Sequence, residues 1–432
     1  MLDMGVGTQM VLLFFLLLII GLPVAFSLGL SAMFAMWQLG FGLDMAGDLI
    51  ATGIAKYSLL AIPFFILAGT LMGSVGIAER MIRFFRVLIG GLPGGMGVVG
   101  TVVCLFWGAV SGSGPASVAA IGPLIIKGMT DDGYPKPFAA ALVCTGAALS
   151  IVIPPSIGLV IYGVIAVLFL AAILPGLLLG GLMLLALPFA RREAPAGHTA
   201  ALLSQPYEGL AYFPRLGRAF LDAFWGLLTP VVILGGIYGG IFTPTEAAIV
   251  AAVYAILVGL LIYRTLTAAS LFQALVDASA SSAVVMLVVA FASLFGWVVT
   301  VDDLVGHYSG LLLGMSHSEW VTLFIILAIL LIAGMFVDAI TIMFIALPIF
   351  LPVVRELGWD PVWFGVLLMV SLSIGLFTPP VGINLFVAAN ITRLSLERIA
   401  AGAVPFLITC LIGLLLLALF PGISSVLLQY LK

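Results

Sequence analysis

Apolar stretches of about 17 to 25 residues recur from Met10 to the end of the chain, parted by short polar joints. Each is long enough to cross a bilayer as a helix. The runs do not alternate apolar with polar positions, which excludes a β-barrel. The pattern predicts helices over 5–21, 24–40 and 58–75, a hairpin over 95–127, a broken helix over 137–168 and a span over 171–190. A second set follows over 225–242, 247–263 and 279–300, with a hairpin over 320–354, a broken helix over 361–392 and a last span over 403–430. This divides the chain into an N-terminal unit (1–190), a polar cytoplasmic linker (191–224) and a C-terminal unit (225–432). In the segment "IAERMIRFFRVLIG" (77–90), Arg80, Arg83 and Arg86 fall on one side and Met81, Phe84, Phe85 and Leu88 on the other. That arrangement suits a helix lying in the membrane interface.

Composition makes lipid the solvent. The chain is 64% hydrophobic and 8% charged, where a soluble protein carries roughly a quarter of its residues charged. A net charge of −3 gives no reason to expect a nucleic-acid partner. Cys104, Cys144 and Cys410 all lie in apolar runs and read as small buried hydrophobes. His198, His307 and His317 fall in predicted loops, and no Cys or His spacing marks a metal centre. The first apolar run lacks a basic flank and an A-x-A cleavage pattern, so no removed signal peptide is expected.

"IVIPPSIG" (151–158) and "LFTPPVGI" (376–383) both break apolar runs with Pro-Pro, 225 residues apart. The same shift pairs Pro123 with Pro348, Gly133 with Gly358, Leu142 with Leu367 and Tyr134 with Trp359, and lays Ser113 on Asp338. The chain therefore reads as a duplication. Alternate crossings that put most Lys and Arg inside place twelve of the fifteen in the cytoplasm, all but Lys56, Arg355 and Lys432. Under that assignment the two halves come out inverted. The fold class expected is an all-α polytopic membrane protein built as an inverted repeat.

The stretch "SGSGPAS" (111–117) interrupts the first hairpin. Its flanking arms of about 16 and 13 residues do not comfortably cross about 30 Å at 1.5 Å per residue, so the hairpin is expected to be re-entrant. Pro154 and Pro155 remove two N–H donors and free carbonyls in the turn before them. Irregular backbone survives at this depth only when buried in protein or lining a watery cavity. Two such breaks in each half, meeting near mid-membrane, form a candidate site. Freed carbonyls and serine hydroxyls suit a hard cation, and half-helix N-termini suit a carboxylate. Asp338 at the second hairpin tip can bind a cation or a substrate hydroxyl, or simply cap the helix from Ala339. Asn384 offers both donor and acceptor, and Thr378 offers a hydroxyl just before the second Pro pair. Glu246 is expected to close a capping box with Thr243.

At these residues the sequence resembles a known family. "SGSGPASVAAIGPLIIKGM", "IVIPPSI", "GIYGGIFTPTEAA" and "GLFTPPVGINLFVAANI" look like the large membrane subunit, DctM type, of tripartite ATP-independent periplasmic (TRAP) transporters, within the ion transporter superfamily. The resemblance covers essentially the whole chain except 191–218. It implies a multi-pass protein of the bacterial inner membrane that imports an organic acid with a sodium gradient. It implies two partners, a small four-helix membrane subunit and a periplasmic substrate-binding protein. It implies an elevator, in which a transport domain holding both hairpins slides against a scaffold. By the same resemblance, one sodium ion is held by Ser111 with backbone around Ser150, Ile153 and Pro155, and a second by Gly334, Gly375 and Thr378. Ser113, Asp338, Thr378 and Asn384 then face the substrate. No cofactor beyond the coupling ion is implied. Family members often carry Gly where this chain has Ser150. The core holds no arginine to clamp a carboxylate, which points away from sialic acid and toward a small mono- or dicarboxylate.

Other classes fit less well. A serine-protease reading of "GSG" around Ser113 needs a base within reach, and no histidine lies in any predicted span. A channel does not call for paired broken helices, which suit alternating access. A stand-alone carrier of the same superfamily would need no binding protein and no small subunit.

Overall fold

The structure is a computed structural model that describes residues 5–162, 165–190, 210–302 and 318–431. Among the described residues it is helical throughout, without strands. His198, His307 and His317 lie outside the described residues. Among the described residues, eight helices are long and apolar enough to cross a membrane.

α1 (Val6–Ile19) and α2 (Val24–Gln38) pair and pack on the long α13 (Ala268–Val301). A short α3 (Leu43–Ile54) follows, which the hydropathy pattern did not announce. It carries Asp44 and Asp48, so its apolar side is too thin to read as a span. α4 (Ala61–Ser74) is preceded by a 3₁₀ turn (Tyr57–Leu60) and packs against α12 (Pro244–Leu257). α12 opens with the expected capping box, in which the Thr243 N–H and hydroxyl both donate to Glu246 and the Glu246 N–H donates back to Thr243 Oγ1.

α5 (Ile77–Ile89) is the amphipathic helix expected over 77–90. Met81, Phe84 and Phe85 are buried, whereas Leu88 is exposed. Phe84 meets Phe220 and Phe85 meets Phe106, with ring centroids 5.7 and 5.8 Å apart. Arg83 pairs with Glu79 along the helix, and Arg86 reaches Asp132 at 3.5 Å. Phe220 belongs to α11 (Tyr212–Tyr238). Residues 212–224 are therefore helical, although they were expected to finish the linker over 191–224. Arg215, Arg218 and Asp222 lowered the hydropathy of a segment that packs its apolar side on α5. α13 likewise begins eleven residues before the expected 279 and, at about 1.5 Å per residue, is roughly 51 Å long.

The first hairpin is α6 (Met96–Ser111) and α7 (Gly114–Asp131). α7 continues past the expected end at 127, so its arm is longer than the 13 residues assumed. The first broken helix is α8 (Lys136–Ala148), a 3₁₀ turn (Leu149–Ile151), an irregular stretch and α9 (Ile157–Tyr162). The expected end of this element at 168 falls within α10 (Ile165–Leu184), which starts before the expected 171; residues 163–164 lie outside the described residues. The second hairpin is α14 (Glu319–Phe336) and α15 (Ala339–Glu356), close to the expected 320–354. α16 (Pro361–Gly375) and α17 (Ile383–Thr392) make the second broken helix, and α18 (Leu396–Leu419) is the last long helix. Both Pro-Pro bonds, Pro154–Pro155 and Pro379–Pro380, are cis.

The core forms around the first halves of the two broken helices. Every residue from Phe138 to Ala148 and from Trp363 to Gly375 is buried, as expected of helices that are apolar on all sides. The two broken helices are tied to each other, the end of each to the start of the other. The Tyr162 hydroxyl at the end of α9 donates to Pro361 O at 2.6 Å. The Lys136 ammonium at the start of α8 donates to Thr392 O at 2.9 Å. The two broken helices therefore run past each other in opposite directions.

Candidate functional site

The four interruptions meet. At the first hairpin tip Gly112 adopts φ +61°, a left-handed value that glycine takes without strain. It sits so close to the first Pro-Pro stretch that a Cβ there would stand 3.2 Å from Pro155 O. One residue pair further, a Cβ on Gly114 would stand 3.0 Å from Asn384 Oδ1 and 3.1 Å from Leu376 Cδ1. The first tip thus touches both broken helices. At the second tip the Gly382 N–H donates to Met335 O at 2.9 Å, and Gly334 lies directly on Gly375. α9 packs on α15, where a Cβ on Gly158 would stand 3.2 Å from Met343 Sδ. Small residues let these backbones approach, and a side chain at any of the contacts would push them apart.

The Pro pairs rearrange the backbone hydrogen bonds. Pro154 and Pro155 have no N–H to close on the carbonyls of Ser150 and Ile151. The Ser156 hydroxyl takes up Ile151 O at 2.6 Å. In the second break the lost closures fall on Gly375 and Leu376. Gly375 O accepts from Thr378 N at 3.1 Å, and Leu376 O from Asn384 N at 3.0 Å. Each substitute bond pins the loop to the helix end it has just left.

The predicted cation ligands fall into two groups, one at each tip. Ser111 is buried, and its hydroxyl makes only a long 3.3 Å bond to Ser113 O, which leaves its lone pairs available. Ser150 lies beside Gly108 of α6, and its hydroxyl donates to Ala147 O at 2.6 Å. Ile153 N donates to Leu149 O, and Pro155 O faces Gly112. At the second tip Gly334, Gly375 and Thr378 stand together, with the Thr378 hydroxyl donating to Ile374 O at 2.6 Å. All are oxygen donors, the chemistry that hard cations take.

The predicted substrate residues are placed less evenly. Ser111 and Ser113 line a cavity of about 430 Å³ together with Ile66, Gly69, Thr70 and Gly73 of α4 and Ser281 and Val285 of α13. Asp338 caps α15 and accepts from Thr341 N at 2.9 Å and from the Thr341 hydroxyl at 2.6 Å. Asn384 is fully buried and does not line the cavity. Its Nδ2 donates to Cys144 O at 2.8 Å, and its Oδ1, beside Gly114, has no hydrogen-bond partner. Sequence reasoning missed the α4 wall. The spacing Gly69-x-x-x-Gly73 was the available signal, since Gly69 lies on Ser111.

A second cavity, of about 580 Å³, lies toward the C-terminal end of α13. It is lined by Thr52, Gly53 and Lys56, by Ser293, Gly296, Trp297 and Thr300, and by Phe344, Leu347, Pro348 and Leu351 of α15. The two cavities do not join. Between them Leu59, Ile62, Ile157 and Val289 form an apolar cluster with Ile66, Ile161, Val285, Met286, Ile340 and Phe344. Ile157 and Ile340 face the first cavity, Ile161 and Phe344 the second. The partition is thus about one helical turn thick, roughly 6 Å.

Relatives carry the same architecture. A crystal structure of the Alcanivorax borkumensis YdaH transporter superposes with a TM-score of 0.63, covering 97% of this chain and 98% of that one at 15% identity, which bears on the fold alone. The C4-dicarboxylate TRAP transporter large permease protein DctM of Rhodobacter capsulatus is 36% identical over 430 residues, 94% of this chain and 95% of that protein. The isethionate TRAP transporter permease protein DctMQ of Oleidesulfovibrio alaskensis is 38% identical over 417 residues. That match covers 95% of this chain and 64% of the relative, so this chain spans less than two thirds of it. The family described as the tripartite ATP-independent periplasmic transporter, DctM component, matches residues 11–423. The chain belongs to that family: it is a TRAP transporter large permease of the bacterial inner membrane, a transporter and not an enzyme, of a kind that works with a small membrane subunit and a periplasmic binding protein.

Proposed function

We propose that this subunit couples the uptake of a small organic acid, a mono- or dicarboxylate, to sodium ions by an elevator movement of an inverted repeat. The observation that carries this reading is the pair of cavities at two levels along α13, one at its middle and one at its C-terminal end, parted by one turn of apolar side chains. The antiparallel course of the two broken helices supports the inverted repeat. The first cavity opens toward the end of α4 that leads into Arg80, Arg83 and Arg86, the cytoplasmic end by charge bias. The first hairpin tip lines that cavity through Ser111 and Ser113, with Ile157 and Ile340 just beyond two of the other interruptions, which supports an inward-facing arrangement.

Sodium ions bind first, one at Ser111 with the Ser150, Ile153 and Pro155 backbone, the other at Gly334, Gly375 and Thr378. Each neutralises carbonyl dipoles that would repel an anion. The substrate carboxylate then meets the N-terminus of α7 at Ser113 and Gly114, where unclaimed N–H groups and the helix dipole favour negative charge. Asp338 and Thr378 complete the substrate side, while Asn384, bonded to Cys144 O, braces the second break behind them. The loaded hairpins and broken helices slide past α4 and α13, and the apolar partition prevents ions from crossing alone. The related proteins named above transport isethionate and C4-dicarboxylates, which supports a small acid as cargo.

The test is uptake into proteoliposomes holding this subunit with its small subunit and binding protein. Labelled organic acids accumulate with an inward sodium gradient and not with potassium in its place. Equal accumulation in both conditions overturns the sodium coupling.

A further inference from the structure

The two cavities occupy repeat-related ground, and they differ in charge. The 225-residue shift that overlays the Pro-Pro breaks carries Lys56, in the wall of the second cavity, onto Ser281, in the wall of the first. It also carries the α7 wall of the first cavity onto the α15 wall of the second, Ala119 onto Phe344. Among the described residues the second cavity is thus lined by one cation and no acidic residue, and the first by no charged residue.

Lys56 is free to act. Its ammonium makes no hydrogen bond and no ion pair with any described residue. Its neighbours in the wall offer few other donors. The Thr52, Ser293 and Thr300 hydroxyls donate to Asp48 O, Val289 O and Gly296 O of their own helices. Their hydrogens are already spent, which leaves Lys56 as the charged donor of the cavity. A helix-bound hydroxyl can still accept, but a carboxylate needs donors.

We propose that Lys56 is a carboxylate-capture subsite on the outer path of the substrate, holding the acid between its delivery and its arrival at the hairpin tips. The proposal rests on the function assigned above, which makes the Lys56 side the outer one. A lone ammonium suits this role because it is a compact, strongly hydrated point charge on a flexible stem. It draws in an anion without the two-point grip that would hold it there. The uncharged Ser281 at the matching inner position lets the acid leave. Capture outside and release inside then follow from one substitution between the repeats.

The experiment measures uptake of labelled C4-dicarboxylate into proteoliposomes containing the complete transporter, at a series of concentrations of loaded binding protein. Lys56→Gln raises the half-saturating concentration about fivefold, the scale of one exposed charge pair, with the maximal rate unchanged. Lys56→Arg keeps the charge and stays within about twofold of wild type. Lys56→Cys behaves as Lys56→Gln, recovers after reaction with a cationic thiosulfonate and does not recover with an anionic one. Lys56→Gln kinetics equal to wild type, or recovery with both reagents, overturns the subsite while leaving the assigned function standing. A wild-type transporter that takes up no carboxylate removes both.

Discussion

Gly375 lies against Gly334 so closely that a Cβ built on Gly375 would stand 2.4 Å from the carbonyl carbon of Gly334. The obstacle is backbone, which cannot rotate away. Gly375→Ala is therefore expected to force α14 from α16 and cost about 1–3 kcal/mol, the usual range for overpacking. Gly235→Ala on α11 meets nothing within 4 Å and serves as the control. Thermal unfolding in detergent and uptake, measured on both variants, give the comparison. An unfolding temperature for Gly375→Ala equal to that of Gly235→Ala would show that the tip has more room than the structure gives it.

Phe344 stands in the partition between the cavities and lines the second of them. Its removal should connect them. Phe344→Ala is expected to raise sodium flux several-fold in the absence of substrate, read with a sodium-sensitive dye in proteoliposomes. Because Phe344 is only partly buried, the stability cost should fall below the about 3–5 kcal/mol of a fully buried Phe→Ala. Phe344→Leu, which keeps most of the volume, should stay tight. Equal leakage from the two variants would move the seal elsewhere.

Asp338 is held as an N-cap by Thr341, and the proposed function also asks its charge to face substrate. The two roles separate by substitution. Asn caps a helix about as well as Asp, while Ala costs about 0.5–2 kcal/mol. Asp338→Asn is expected to keep the unfolding temperature of the wild type and to lose at least tenfold in uptake, whereas Asp338→Ala loses both. Full uptake by Asp338→Asn would leave the residue a cap alone.

Punctuation was legible before the fold was known. Pro154, Pro155, Pro379 and Pro380 marked the breaks, and Gly112, Gly334 and Gly375 occupy contacts that admit no side chain. These residues carry their structural meaning locally, in a missing N–H or a missing Cβ. Boundaries that depend on partners were not legible. The N-terminal part of α11 is helical because Phe220 meets Phe84 and Gly226 packs on Ile77, partners 136 and 149 residues away in the chain, which no local pattern reports. The site shows the same division. Depth placed Ser111, Thr378 and Asn384 together. Helix phase is lost across the irregular residues 376–382, however, so the pattern could not tell that Asn384 turns toward Cys144 and Gly114 and away from the cavity.

Ser111 is the residue at which the proposed cation site and the cavity meet. Its hydroxyl is buried, faces the first cavity and is held only by the 3.3 Å bond to Ser113 O. Removing it leaves the packing of α6 nearly unchanged, because Ser and Ala differ by one oxygen and Gly69 already accommodates the backbone there. It removes one oxygen from a set in which the other ligands are backbone carbonyls, and those have no side chain to mutate. Ser111→Ala is therefore expected to shift half-saturating sodium upward by about tenfold, the equivalent of roughly 1.4 kcal/mol. Saturating sodium should restore much of the rate. Ser113→Ala, altered on the substrate side, should leave the sodium dependence in place and change the substrate dependence. Sodium titrations of uptake at fixed substrate separate the two variants. Identical sodium curves for Ser111→Ala and wild type would remove the first cation from this tip.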